Sequence, residues 1–129
     1  MTTLPVENYS PERGIMEGFK KMNYAVIDDD TKQAVYPAWQ FVEPVPDMIL
    51  EVMKLFLVNE AVHAKMHGFF VTQEDNLNEL SPAEVLAGRT FPKQEPLHAS
   101  QLRILSLPPE ERLRRVLEVA KDYIAEITQ

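Results

Sequence analysis

Apolar and polar positions change period partway along the chain. Tyr24-Ala25-Val26-Ile27 and Ala34-Val35-Tyr36 are short β-branched and aromatic runs separated by the polar Asp28-Asp29-Asp30-Thr31-Lys32. That is the pattern of a small β-hairpin with a turn-forming tip. From Met48 onward the apolar positions recur at helical spacing. Between the two regimes lies Val35-Tyr36-Pro37-Ala38-Trp39-Gln40-Phe41, which holds the single tryptophan. Pro37 withholds a ladder donor and disfavours helix at Tyr36, so the second strand is expected to end there. An isolated hairpin is marginal in water, and Trp39 and Phe41 are the side chains expected to anchor it on the helix at 48–58.

The remaining elements follow from caps and stripes. Residues 1–9 show no periodicity and read as a flexible arm; 10–129 read as one domain. Ser10-Pro11-Glu12 is a helix start, with Ile15, Phe19 and Met22 on one face. Glu43-Pro44-Val45-Pro46 is a stiff connector, after which Asp47 is expected to cap a helix over Met48–Val58. Its only polar side chains are Glu51 and Lys54, so this helix is expected to be the central one. Val62, Met66, Phe69 and Phe70 form a stripe over 61–71, and Thr72–Glu79 is a polar loop around Leu77. Ser81-Pro82-Ala83-Glu84 is a capping box, and Gly88 a left-handed stop. Thr90–Pro96 reads as a linker or ordered loop; His98–Leu105 makes two turns with Leu102 and Leu105 inward. The last helix opens at Pro108-Pro109 and runs to Ile127. Its stripe is Leu113, Val116, Leu117, Ala120, Ile124 and Ile127, with Glu110–Arg114 and Glu111–Arg115 pairs outside. The expected fold class is mainly α: a small helical bundle of about five to six helices with a short N-terminal β-hairpin.

Composition narrows the classes of function. The 129 residues are 45% hydrophobic and 26% charged, ordinary values for a globular domain. The absence of cysteine excludes disulfides, thiolate metal sites and cysteine nucleophiles. No apolar run approaches a membrane span and no signal-like segment opens the chain, so a cytoplasmic location is expected. The net charge of −7 lies entirely within residues 1–95. Such an acidic body opposes nucleic-acid binding, which needs clustered Lys and Arg, and suits a protein that meets a basic partner.

Candidate chemistry is sparse. Glu60, His63 and His67 share a helix face, and Glu-x-x-His is half of a di-metal signature. That face lies opposite the Val62/Met66/Phe69/Phe70 stripe, and a second Glu-x-x-His is missing, so a solvated face is the expected reading. An EF-hand loop begun at Asp28 would place Gln33 and Trp39 where glycine and glutamate are required. No nucleophile elbow, phosphate loop or dinucleotide fingerprint occurs. No catalytic residue, metal or cofactor is expected, and the chain reads as non-enzymatic. Arg112, Arg114 and Arg115, with Arg103 and Lys121, form the basic concentration that a DNA-associated dimeric regulator would use. The interleaved Glu110, Glu111 and Glu118 favour ordinary helix-face pairing. Val119 and Tyr123 widen the last helix's apolar stripe, which can serve the core, a homodimer seam or a partner. Arg112, Arg115, Val119 and Tyr123 are therefore the candidate partner-binding residues.

Three features in order resemble one family: Tyr36-Pro37-Ala38-Trp39-Gln40-Phe41, then Phe69-Phe70 before a Thr-containing loop, then Leu80-Ser81-Pro82-Ala83-Glu84-Val85-Leu86-Ala87-Gly88. Over residues 24–88 the chain is similar to the toxin-binding domain of the bacterial Xre/MbcA/ParS-type antitoxins. The resemblance implies a small helical, non-catalytic module whose protein partner is a RES-domain toxin that attacks NAD. Its motif residues here are Tyr36, Pro37, Trp39, Gln40, Phe41, Leu80, Ser81, Pro82 and Gly88. The family's glycine before the Ser-Pro step is replaced by Asn78 and Glu79. The stretch before Tyr24 is too short for the family's helix-turn-helix, so DNA binding is not carried over. Residues 89–129, a loop and C-terminal helices, run longer than the family's tail.

Overall fold

The computed structural model describes residues 3–10 and 23–129. The helix expected over 10–22 falls mainly on residues outside that set. The described chain is a helical body carrying a small three-stranded antiparallel sheet, so the fold is mixed α/β. The expected bundle with a single hairpin is corrected to that extent.

The strands are β1 (Asn8–Tyr9), β2 (Val26–Ile27) and β3 (Ala34–Pro37), in the order β1-β3-β2. The expected hairpin is present, with Val26 opposite Val35 and Ile27 opposite Ala34. Its tip is closed by Asp28, whose Oδ1 accepts from the amides of Asp30 (2.8 Å) and Thr31 (3.0 Å). Those N–H groups, Thr31 first, hold the Asp28 carboxyl below its ordinary range.

Strand β3 continues through Pro37 instead of ending at Tyr36. Pro37 faces Asn8, and the neighbouring bond runs from the Ala38 amide to the Glu7 carbonyl at 3.0 Å. Pro37 therefore occupies a non-hydrogen-bonded pair, where its missing N–H leaves no partner unsatisfied. The same pairing corrects the expected arm at 1–9. Leu4 is fully buried, its amide donates to the Thr90 carbonyl at 2.9 Å, and β1 completes the sheet. One apolar residue and two strand residues carry no period, so the sequence pattern could not announce them.

A 3-10 turn over Ala38–Phe41 leads to a second at Val45–Asp47 and then to α1 (Ile49–Leu55). Asp47 ends that turn and does not cap α1; Met48 stands at the N-cap without a side-chain bond. Phe56, Leu57 and Val58 leave the helix in a turn, Phe56 buried and the other two exposed. The expected 61–71 helix is two pieces, α2 (Glu60–His63), capped by the Asn59 side chain, and α3 (Met66–Val71). Val62, Met66, Phe69 and Phe70 are buried as their spacing predicts.

The most enclosed helix is α4 (Pro82–Ala87), all six residues of which are buried. This displaces 48–58 from the expected central role. The reason is position: α4 is surrounded by α3, by the Ala38–Phe41 turn, and by α5 (Ala99–Leu105) and α6 (Pro109–Ile127). Its capping box is complete, with Ser81 Oγ accepting from the Glu84 amide and Glu84 Oε1 accepting from the Ser81 amide. In α5, Ile104 joins Leu105 in the core while Leu102 is exposed. On α6 the buried line is Arg112, Val116, Val119 and Ala120, and Ile127 lies outside it.

Candidate functional site

Tyr24 organises the most distinctive part of the structure. Its backbone is clasped by the buried Gln40 side chain in both directions: the Tyr24 amide donates to Oε1 (3.0 Å), and Nε2 donates to the Tyr24 carbonyl (2.7 Å). A buried amide side chain that mimics a strand partner satisfies two groups that the short β2 leaves unpaired. The Tyr24 ring stacks on Phe70 (centroids 5.5 Å apart, planes at 11°) and tilts against Trp39 at 6.1 Å and His67 at 5.4 Å. Its hydroxyl lies 2.8 Å from His67 Nδ1. Burial raises the phenol's pKa far beyond its ordinary value, with the Trp39 indole opposing slightly, so the oxygen keeps its proton. Burial also lowers the pKa of the half-buried His67.

The motif around Trp39 thus divides into two packing roles. Trp39 is in the core against Tyr24 and Phe70. Phe41 is half-buried and turns to the sheet, stacked on Tyr9 at 5.7 Å and edge-on to Tyr36 at 6.3 Å. The expected joint anchor on 48–58 is therefore carried by Trp39 into α3, while Phe41 fastens the sheet.

Beside Tyr24 lies an open groove of about 600 Å³, with Tyr24, Ile27, Met53, Leu57, His63 and His67 among its walls. Among the described residues its lining contains no Asp, Glu, Lys or Arg. Ile27 and Leu57 are 63% and 53% exposed, so two large apolar side chains stand in solvent on either side of an apolar hollow. Val58, 65% exposed, follows Leu57 directly.

The four residues singled out on the last helix are placed differently from that expectation. Arg112 is buried and donates to the carbonyls of Leu105 (3.4 Å) and Leu107, closing the C-terminal end of α5. Burial lowers its pKa. Val119 is buried, and Tyr123 packs on Phe69 (5.2 Å) and Phe56 (6.3 Å). Val119 and Tyr123 are core or core-edge residues because α6 buries a wide face, on which Val116, Ala120, Leu113, Leu117 and Ile124 of the expected stripe also pack, and Arg112 is buried beside them. Arg115 remains at the surface, 3.6 Å from Glu111. Arg114 pairs with Glu111 and Glu118 and not with Glu110, which leaves α6 an internally neutralised outer face.

His63 and His67 do not form a metal pair. His63 is exposed and His67 is engaged by Tyr24, and the described residues contain no cluster of three or more ligating side chains. His67 is accordingly a packed residue, not part of the expected solvated face. Among the described residues no helix is long and apolar enough to cross a membrane. No family model, curated protein or solved structure matches this chain.

Proposed function

We propose that this chain is a non-catalytic protein-interaction module of the antitoxin type, which neutralises or regulates a toxin-like protein partner. The observation that carries this reading is the groove lined by exposed Ile27 and Leu57, whose described lining residues include no Asp, Glu, Lys or Arg. A partner that covered those side chains would remove apolar surface from water at roughly 25 cal/mol per Å². The partner proposed by resemblance is a RES-type enzyme that consumes NAD.

A second feature supports the family resemblance. Asn78 and Glu79, which stand where the family has glycine, adopt left-handed backbone with φ of 54° and 66°. Glycine reaches that region without steric cost, and asparagine is the next most tolerant residue. The Glu74 amide donates to Leu80 O (3.1 Å), and the Glu79 amide to Glu74 O (2.9 Å), fixing this loop directly before the Ser81-Pro82 cap.

Co-expression of the chain with the product of the neighbouring co-transcribed reading frame tests the proposal. Protection of growth and of cellular NAD by the wild-type chain is the expected result. Unchanged toxicity, or a neighbouring product without toxicity, counts against it.

A further inference from the structure

The Tyr24–His67 contact ties the hairpin to α3 at the edge of the groove, and its hydrogen-bond polarity is constrained from both sides. The phenol keeps its proton, and with His67 neutral and its own proton on Nε2 the O–H donates to the Nδ1 lone pair over 2.8 Å. On the other side sits Trp39, whose indole N–H is buried and meets no acceptor geometry among the described residues. Indole nitrogen only donates, and a protonated imidazole only donates. Once Nδ1 carries a proton, the Tyr24 oxygen can only accept from His67, Trp39 offers no acceptor, and the phenol hydrogen is left without a partner in a buried setting. A buried donor without an acceptor is a destabilised arrangement.

We propose that Tyr24 and His67 form a proton-operated latch: neutral His67 holds the base of the hairpin on α3, and protonated His67 releases it and widens the adjoining groove. The latch bears on the same groove proposed above for a partner, and in that sense rests on that reading. Among the described residues lining the groove there is no carboxylate to pair with the imidazolium. Strand β2 and its approach contribute Tyr24 as the titratable group facing the site; α1 contributes Met53 and the turn after it Leu57, which do not titrate. From α2 the exposed His63 shares the groove, and a second imidazolium there would repel the first. Glu60 and Lys65, on the same α2–α3 stretch, are exposed. Burial is what acts on His67.

The direction of the pH effect follows. Because the folded-state pKa is depressed, the contribution of neutral His67 is complete above the unfolded histidine range and is lost as pH falls through the folded value. Trp39, the single tryptophan and a ring neighbour of Tyr24, is a built-in reporter. The test is Trp39 emission and the His67 NMR titration from pH 7.5 to about 4.5, on wild type, His67→Gln and His63→Gln, with far-UV circular dichroism alongside. The expected result is one emission transition that coincides with the His67 titration, below the ordinary histidine range. His63→Gln keeps it, and His67→Gln, which offers an amide oxygen to Tyr24 at every pH, abolishes it. The same transition in His67→Gln overturns the proposal, as does a His67 titration that leaves Trp39 emission unchanged. If His67→Gln does not fold, coincidence or non-coincidence of the two wild-type curves decides. None of these readouts uses a partner, so failure of the latch is distinguishable from failure of the binding reading.

Discussion

Gln40 shows how much of this fold rests on single buried polar side chains. Fully buried, it bonds to both backbone groups of Tyr24, so Gln40→Leu keeps the volume but orphans two buried groups. Each such group costs about 1–3 kcal/mol, and equilibrium denaturation should show a loss within that range or its double. Trp39→Ala should cost about 3–5 kcal/mol, because the ring is buried and the cavity cannot collapse onto the fixed Tyr24 and Phe70. A folded Trp39→Ala protein of wild-type stability would remove Trp39 from the core. The stretch 35–41 was legible from the sequence as an aromatic junction, since a lone tryptophan beside a proline between two periodicities is conspicuous. The role of Gln40 was not legible: its partner lies 16 residues away, and no local rule assigns a buried amide to a distant backbone. The Tyr24–His67 pair, 43 residues apart, was hidden for the same reason.

Among the elements, α4 carries the most connections. The Glu84 carboxylate is buried and accepts from the Ser81 amide (2.9 Å), Ser81 Oγ (3.0 Å) and the Phe91 amide (2.9 Å), with Lys93 Nζ at 3.2 Å. One side chain thus starts the helix and holds down the chain that leaves it. Glu84→Ala should destabilise the protein by about 1–3 kcal/mol for each amide donor it orphans at Ser81 and Phe91, and should loosen the 89–93 segment in hydrogen exchange. The helix stop is equally constrained. Gly88 has φ +70°, and an added Cβ would sit 3.0 Å from Arg112 Cζ. Gly88→Ala should therefore cost more than about 1 kcal/mol in the same assay. The capping box and the glycine stop were readable because both are local chemistry. The placement of α4 at the centre was not, since six residues hold too little pattern to outrank the longer apolar run at 48–58. That run is apolar nearly all round because Leu57 and Val58, on the surface, extend it beyond the buried Met48, Ile49, Val52, Met53 and Phe56.

At the scale of the whole molecule, the helical class and the hairpin followed from periodicity. The third strand followed only from tertiary pairing with β3. The basic helix that drew attention in the sequence is neutralised by its own acids and by burial of Arg112. The apolar rim went unrecognised because Ile27 and Leu57 lie in separate segments that only the fold brings to one groove. This face is the one proposed to bind a protein partner. Leu57→Asp tests it, since the side chain is more than half exposed and surface substitutions of this kind typically alter stability by less than about 0.5 kcal/mol. The measurement is growth and cellular NAD in cells co-expressing the co-transcribed partner with wild-type or Leu57→Asp chain. Protection by the wild type and its loss in the folded variant is the expected result. Equal protection by both, or protection by neither, would contradict it.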